Sequence, residues 1–236
     1  MKKFRFSNIY NKEFFPAKML ERSLREMGIV QKKPILAFVP HNSSRAERIS
    51  RLLRGSEKAG LGFVGEIDGQ TVAAMPTGVG CAVTATIMER LAYCGVKYLI
   101  KMGSAGGLHP NMKVGDICIP TACVRGDGAS REYIPECFPA VSNFDVYDAL
   151  VSSARESGVE PYTGVHLCHD SLYAENRSEF ETWRDAGVIS VDMETSIIFV
   201  LASLRGIKAG AISTISENVL SKTKEEDSAW VSEEKA

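Results

Sequence analysis

The stretch Val96–Leu108, VKYLIKMGSAGGL, constrains the fold of this chain more than any other. It opens on a β-leaning apolar run, Tyr98-Leu99-Ile100, carries a cation at Lys101, and passes into Gly103-Ser104-Ala105-Gly106-Gly107. A short apolar run closed by glycines predicts a buried strand ending in a turn. In an α/β sheet, ligands sit beyond the carboxyl ends of the strands. Glycines with a Ser hydroxyl at such an end can hold an anion. A cation inside a buried strand is expensive unless something pairs with it. A phosphate at the strand end would suit Lys101; an edge strand with a Gly-rich loop is the bland alternative.

The rest of the chain alternates strands with helices. Pro34–Val39 reads as a first strand, and Pro40-His41-Asn42-Ser43-Ser44 as the turn that caps a helix over 45–53. Arg45 then falls in the first turn of that helix, where a cation opposes the helix dipole, which favours a role in gripping an anion. Residues 60–80 predict two strands around an Asp68-Gly69 hairpin. Helices are expected over 81–95, 144–157, 178–186 and 195–205, the last almost wholly apolar and therefore buried. Strands are expected at 114–120, 162–168, 188–191 and 209–215, with a long loop over 126–143. Phe14 to Met27 shows helical spacing, so residues 1–33 form a helical extension on an α/β domain spanning 34–236. The expected fold is a single α/β domain with a mixed, largely parallel central sheet flanked by helices. Polar groups gather at the expected strand ends, as a ligand cleft there would require.

Composition narrows the partners. With 236 residues and a net charge of −1, nothing points to a nucleic-acid surface or an anionic membrane. No apolar run approaches the ~18 residues needed to span a bilayer. The six cysteines show neither CxxC spacing nor a zinc-finger cluster, so no metal is expected and the setting is read as reducing and cytoplasmic. No dinucleotide fingerprint is present, and no cofactor is expected.

Three blocks in order carry a family resemblance: Ile100-Lys101-Met102-Gly103-Ser104-Ala105-Gly106-Gly107, Val114-Gly115-Asp116-Ile117, and Val191-Asp192-Met193-Glu194-Thr195. The chain resembles the nucleoside phosphorylases over about residues 34–220. Thr121 to Ser130 and Phe138-Pro139-Ala140-Val141 are most similar to the uridine phosphorylase branch. The resemblance implies that phosphate attacks C1′ of a nucleoside, giving ribose 1-phosphate and free base. Such catalysis is positioning and electrostatics, with phosphate as co-substrate rather than a resident cofactor.

Carried over position by position, the resemblance implies a phosphate site of Arg45, Lys101, Gly103 and Ser104. Lys58 stands near an arginine that family members lend across a subunit contact, so a homo-oligomer is expected, a dimer or a hexamer built as a trimer of dimers. Glu194 would accept the ribose 2′ and 3′ hydroxyls and Met193 would pack on the sugar. Leu172, Tyr173 and Asp192 fall in the base pocket. Asn176-Arg177 resembles the glutamine and arginine, two apart, that read uracil, whereas Glu217 resembles a purine-protonating aspartate lengthened by a methylene. Arg45, Lys101, Glu194 and Glu217 are the expected catalytic groups. His41 replaces a usual glycine, and Lys58 and Lys101 exchange a bidentate fork for a point charge. Uridine phosphorolysis is favoured; purine phosphorolysis, hydrolysis on the same fold, and a non-catalytic nucleoside-binding protein are the alternatives.

Overall fold

Strand β1 (Leu36–Pro40) leads through an Asn42 cap into helix α1 (Ser43–Ser50). This computed structural model describes Arg22, Leu24, Gly28, Ile29 and residues 31–221. Strands β2 (Arg54–Ala59), β3 (Gly62–Ile67) and β4 (Gln70–Ala74) precede α2 (Cys81–Tyr93) and the long β5 (Tyr98–Gly107). Then come β6 (Ile117–Gly126), α3 (Ala129–Tyr133), β7 (Ala140–Val141), α4 (Phe144–Glu156) and β8 (Tyr162–His169). A single 3-10 turn (Leu172–Ala174), α5 (Arg177–Asp185), β9 (Val188–Asp192), α6 (Thr195–Arg205) and β10 (Lys208–Asn218) complete the order.

The sheet is mixed, and β5 is its hinge. Tyr98–Met102 of β5 pair in parallel with β1, whose other neighbour is β4, followed by β3 and β2 at the edge. Farther along, Gly106-Gly107 pair with β9, while β10 runs parallel to β5 along its whole length. The path β5-β10-β6-β8-β9 returns to β5, so half of the sheet closes on itself. The expected α/β domain with flanking helices is the observed fold.

Helices α2 and α6 pack together on this sheet. Thr195–Ala202 are all buried, so α6 needs no polar face. Leu24 and Ile29 are buried in the same core. Most of the helix expected over 14–27 lies outside the described residues, as does the charged run Lys222–Asp227. The hairpin at 68–69 forms as expected, with both residues at positive φ.

Two expectations are corrected. Gly103 to Gly107 do not turn the chain; β5 runs through them, and neither Gly103, Gly106 nor Gly107 has positive φ. They are small for close approach: a Cβ on Gly106 would meet Val219 at 2.7 Å. The 126–143 segment is not a plain loop either. Arg125 is buried beneath it and donates to the carbonyls of Pro135 (2.7 Å), Phe138 (2.8 Å) and Ile134 (3.0 Å). One guanidinium thereby organises α3 and the approach to β7.

Candidate active site

A cavity of about 320 Å³ opens at the carboxyl ends of β1, β5 and β9. At one end stands the N-terminus of α1. The Asn42 side chain accepts from the Arg45 N–H at 2.9 Å, and no acidic residue lies in the first turn. The helix therefore points an uncompensated positive end into the cavity. Arg45 reaches across to β5, where its Nη2 donates to Ser104 Oγ at 3.5 Å. Arg48, one turn on, lines the same cavity. His41 lies beside Arg45, with ring and guanidinium nitrogens 3.5 Å apart. Burial, then the charges of Arg45 and Lys101, lowers the His41 pKa to about 4. His41 is thus a neutral imidazole at physiological pH, and the positive charge at this end belongs to the two arginines and the helix.

The floor is built from the β9–α6 junction. Glu194 precedes α6 and is 5% exposed. Its Oε1 accepts from the Gly80 N–H at 2.8 Å, and its Oε2 lies 4.0 Å from Lys101 Nζ. Burial, then the charge of Asp192, raises the Glu194 carboxyl to about 7, against the pull of Lys101 and Gly80. Gly80 sits at φ 99°, a region open to glycine, and that conformation aims its N–H at the carboxylate.

Behind the floor lies a buried ionic hub. Lys101 is 1% exposed and donates to Asp192 Oδ2 at 2.5 Å and to Ser213 Oγ at 3.2 Å. Asp192 also accepts from Thr195 Oγ1 and from the N–H groups of Glu194 and Thr195. His166 Nε2 lies 3.1 Å from Asp192 Oδ1, within ion-pair range but without hydrogen-bond alignment. Although burial opposes it, Lys101 and then His166 hold the Asp192 carboxyl well below the usual range. The partner expected for Lys101 was phosphate; the partner it has is Asp192, and Lys101 does not line the cavity. Gly103 makes room for this pair, since a Cβ there would come within 2.5 Å of Lys101 Nζ.

Of the residues singled out from sequence, Arg45, Ser104, Leu172, Asp192, Met193, Glu194 and Glu217 share the cavity. Lys58 lies exposed on edge strand β2, away from it, and Tyr173 is 99% exposed. Asn176 caps α5 through its side chain, and Arg177 turns to the carbonyls of Leu220 (2.8 Å) and Ser221. Neither lines the cavity. The reason is local: an asparagine before a helix finds its own N–H donors, and the adjacent guanidinium finds free carbonyls after β10. Two charged lining residues, Arg48 and Glu175, were not anticipated. Arg48 is signalled by its spacing of three from Arg45, which puts both on one helix face. Glu175 is signalled by standing two before Arg177.

Among the described residues, one group has the donor types for a metal: Cys81, Asp127 and Cys168, all buried. Its atoms are already engaged. Cys81 and Cys168 sulfurs are 3.4 Å apart, and Asp127 accepts from Ser130 and Ser196. It packs as core under the β9–α6 junction.

The model of the phosphorylase superfamily matches residues 36–236. Uridine phosphorylase of Haemophilus influenzae is 34% identical over 203 residues, covering 78% of this chain and 80% of its own. Guanosine phosphorylase of Halorubrum lacusprofundi is 31% identical over 190 residues, covering 78% and 79%. Purine nucleoside phosphorylase of Plasmodium falciparum is 39% identical over 147 residues, covering 61% and 60%. A helix end with two arginines faces a buried carboxylate on the β9–α6 junction, and the match runs through every one of these elements: the chain belongs to the phosphorylase superfamily.

Proposed function

We propose that this chain catalyses the phosphorolysis of a nucleoside, uridine among its substrates, to free base and ribose 1-phosphate. The observation that carries the reading is one cavity holding a cationic helix end, Arg45 with Ser104, together with a buried carboxylate, Glu194. Phosphate sits on Arg45, Arg48, Ser104 and the α1 N-terminus. Glu194, ionised, accepts from the two ribose hydroxyls, and Met193 supplies the apolar sugar face. The C1′–N bond breaks with its electron pair leaving on the base, and a phosphate oxygen bonds to C1′. Positive charge on the sugar is greatest midway, between the phosphate below and the Glu194 carboxylate beside it. Lys101 acts through Asp192 by fixing the backbone on which Met193 and Glu194 stand.

No resident cofactor is required; phosphate is the co-substrate. Lys58, exposed on β2, is the residue offered to a neighbouring copy, so the working form is a homo-oligomer. Among the described residues no helix is long and apolar enough to cross a membrane. Five buried free thiols and one exposed favour the cytoplasm.

The test is the Arg45→Ala variant under steady-state kinetics. The KM for phosphate rises at least tenfold while the nucleoside KM changes little. Base release that ignores phosphate in the unaltered enzyme would replace phosphorolysis by hydrolysis.

A further inference from the structure

Behind the floor that carries Met193 and Glu194, two thiols with no part in the chemistry above lie in contact. Cys81 opens α2, and Cys168 stands on β8, where it pairs in register with Asp192. Their sulfurs are 3.4 Å apart, although 87 positions separate the residues in sequence. Closing that gap to the ~2.0 Å of a disulfide takes a movement of roughly 1.4 Å. Cys81 also supports the floor. Its Sγ donates to the Met193 carbonyl at 3.3 Å, and the N–H of Gly80, just before it, holds Glu194 at 2.8 Å. Cys123 is a further thiol within hydrogen-bonding reach of Cys168. It stands on the neighbouring strand opposite His166, two residues out of register. That diagonal puts about 8 Å between the Cα atoms, beyond the reach of a disulfide. Both contacting sulfurs are covered, Cys81 being 2% exposed and Cys168 0%. The way in is the start of α2, which has no side-chain cap, beside Val79, 60% exposed on the cavity wall. An uncapped first turn opens readily, and a small oxidant then reaches Cys81.

We propose that Cys81 and Cys168 are a modification site for peroxides, which join them in a reversible disulfide that disables the nucleoside half of the cavity and spares the phosphate half. The Cys81 sulfur attacks one oxygen of hydrogen peroxide. An S–O bond forms, the O–O bond breaks, and the departing hydroxide takes the thiol proton and leaves as water. The Cys168 sulfur then attacks the Cys81 sulfur. The S–S bond forms, the S–O bond breaks, and a second water leaves with the Cys168 proton. Two thiols are oxidised to one disulfide, and one peroxide is reduced to two waters. The bond removes the S–H that holds Met193 and draws Cys81, with Gly80 behind it, toward β8. Glu194 thereby loses the N–H that orients it. The phosphate cradle of Arg45 and Ser104 stands on α1 and β5 and is left in place. A dithiol reductant reverses the change. The effect on substrate rests on the nucleoside reading above; the disulfide itself does not.

The experiment treats the full chain with hydrogen peroxide under native conditions and maps disulfides by mass spectrometry of unreduced peptides. A Cys81–Cys168 crosslink forms with the loss of two hydrogens. Amide exchange at Gly80 accelerates, which reads the floor without any substrate. Calorimetric affinity for uridine falls roughly 10- to 100-fold, the size of a hydrogen bond to a charged group. Affinity for inorganic phosphate changes less than twofold, and dithiothreitol restores uridine binding. Cys81→Ser and Cys168→Ser each keep their own untreated uridine affinity under peroxide, whereas Cys137→Ser, at the exposed thiol, loses it as the unaltered protein does. Mapping and exchange on the unaltered protein decide the matter even where a variant fails to fold. No crosslink, a crosslink between other cysteines, or a Cys81–Cys168 crosslink that leaves Gly80 exchange and uridine affinity unchanged would overturn the proposal. The crosslink with faster Gly80 exchange, in a protein that binds no nucleoside before oxidation, would support the disulfide and count against the nucleoside reading alone.

Discussion

Glu194 pays a thermodynamic cost for its position, and replacing it separates function from stability. Its carboxyl lies at about 7 in the fold against an ordinary 4.5. A carboxyl raised on folding favours the fold when protonated. That contribution is complete below about pH 4.5 and is lost as pH rises through about 7. Above pH 8 the ionised, buried group therefore weakens the fold by about 3 kcal/mol relative to its protonated form. Glu194→Gln keeps a carbonyl oxygen for the Gly80 N–H and removes the charge. Thermal unfolding of the variant is expected to exceed the unaltered protein by several degrees at pH 8, roughly 2–4 °C per kcal/mol at this chain length. At pH 5 the two should nearly coincide. Function runs the other way. Ribose binding needs the carboxylate, so nucleoside affinity measured without phosphate weakens about tenfold between pH 8 and pH 6. The variant shows no such dependence and binds weakly throughout. A Glu194→Gln protein that is less stable at pH 8, or whose affinity keeps the pH dependence, would refute this account.

Lys101→Met leaves Asp192 charged and buried without its main partner, which costs about 3–5 kcal/mol and lowers Tm by roughly 10 °C; scanning calorimetry reads the loss. Gly80→Ala meets no neighbour, since nothing lies within 4 Å of the added Cβ. It strains a backbone at φ 99° by about 1–2 kcal/mol. As the backbone relaxes, the N–H leaves Glu194, so nucleoside KM rises while phosphate KM is unchanged. Arg125→Met frees the carbonyls of Ile134, Pro135 and Phe138, and amide exchange across 129–141 should accelerate while α6 stays protected.

Local rules read the local features well. Asn42 caps α1 and delivers Arg45 to the cavity, the Asp68-Gly69 turn joins β3 to β4, and an apolar helix at 195–205 is buried. Failures occur where partners are remote in sequence. Glycine after an apolar run signals a turn, yet pairing with β10, over a hundred residues on, carries β5 straight through Gly103–Gly107. The need of Lys101 for a partner was legible; its identity was not, because Asp192 lies ninety-one positions away. Strand β2, RGSEKA, has no apolar alternation because it is an exposed edge, and periodicity passes over it. Glu175 was hidden by the neighbouring Asn176-Arg177, whose side chains the structure uses for a helix cap and for the carbonyls after β10.

The central claim is that phosphate, held by Arg45 and Ser104, is the nucleophile. Phosphorus NMR on the reaction with uridine tests it most directly. Ribose 1-phosphate should appear in step with free uracil, with no turnover when phosphate is omitted. Free ribose at an unchanged rate without phosphate would contradict it.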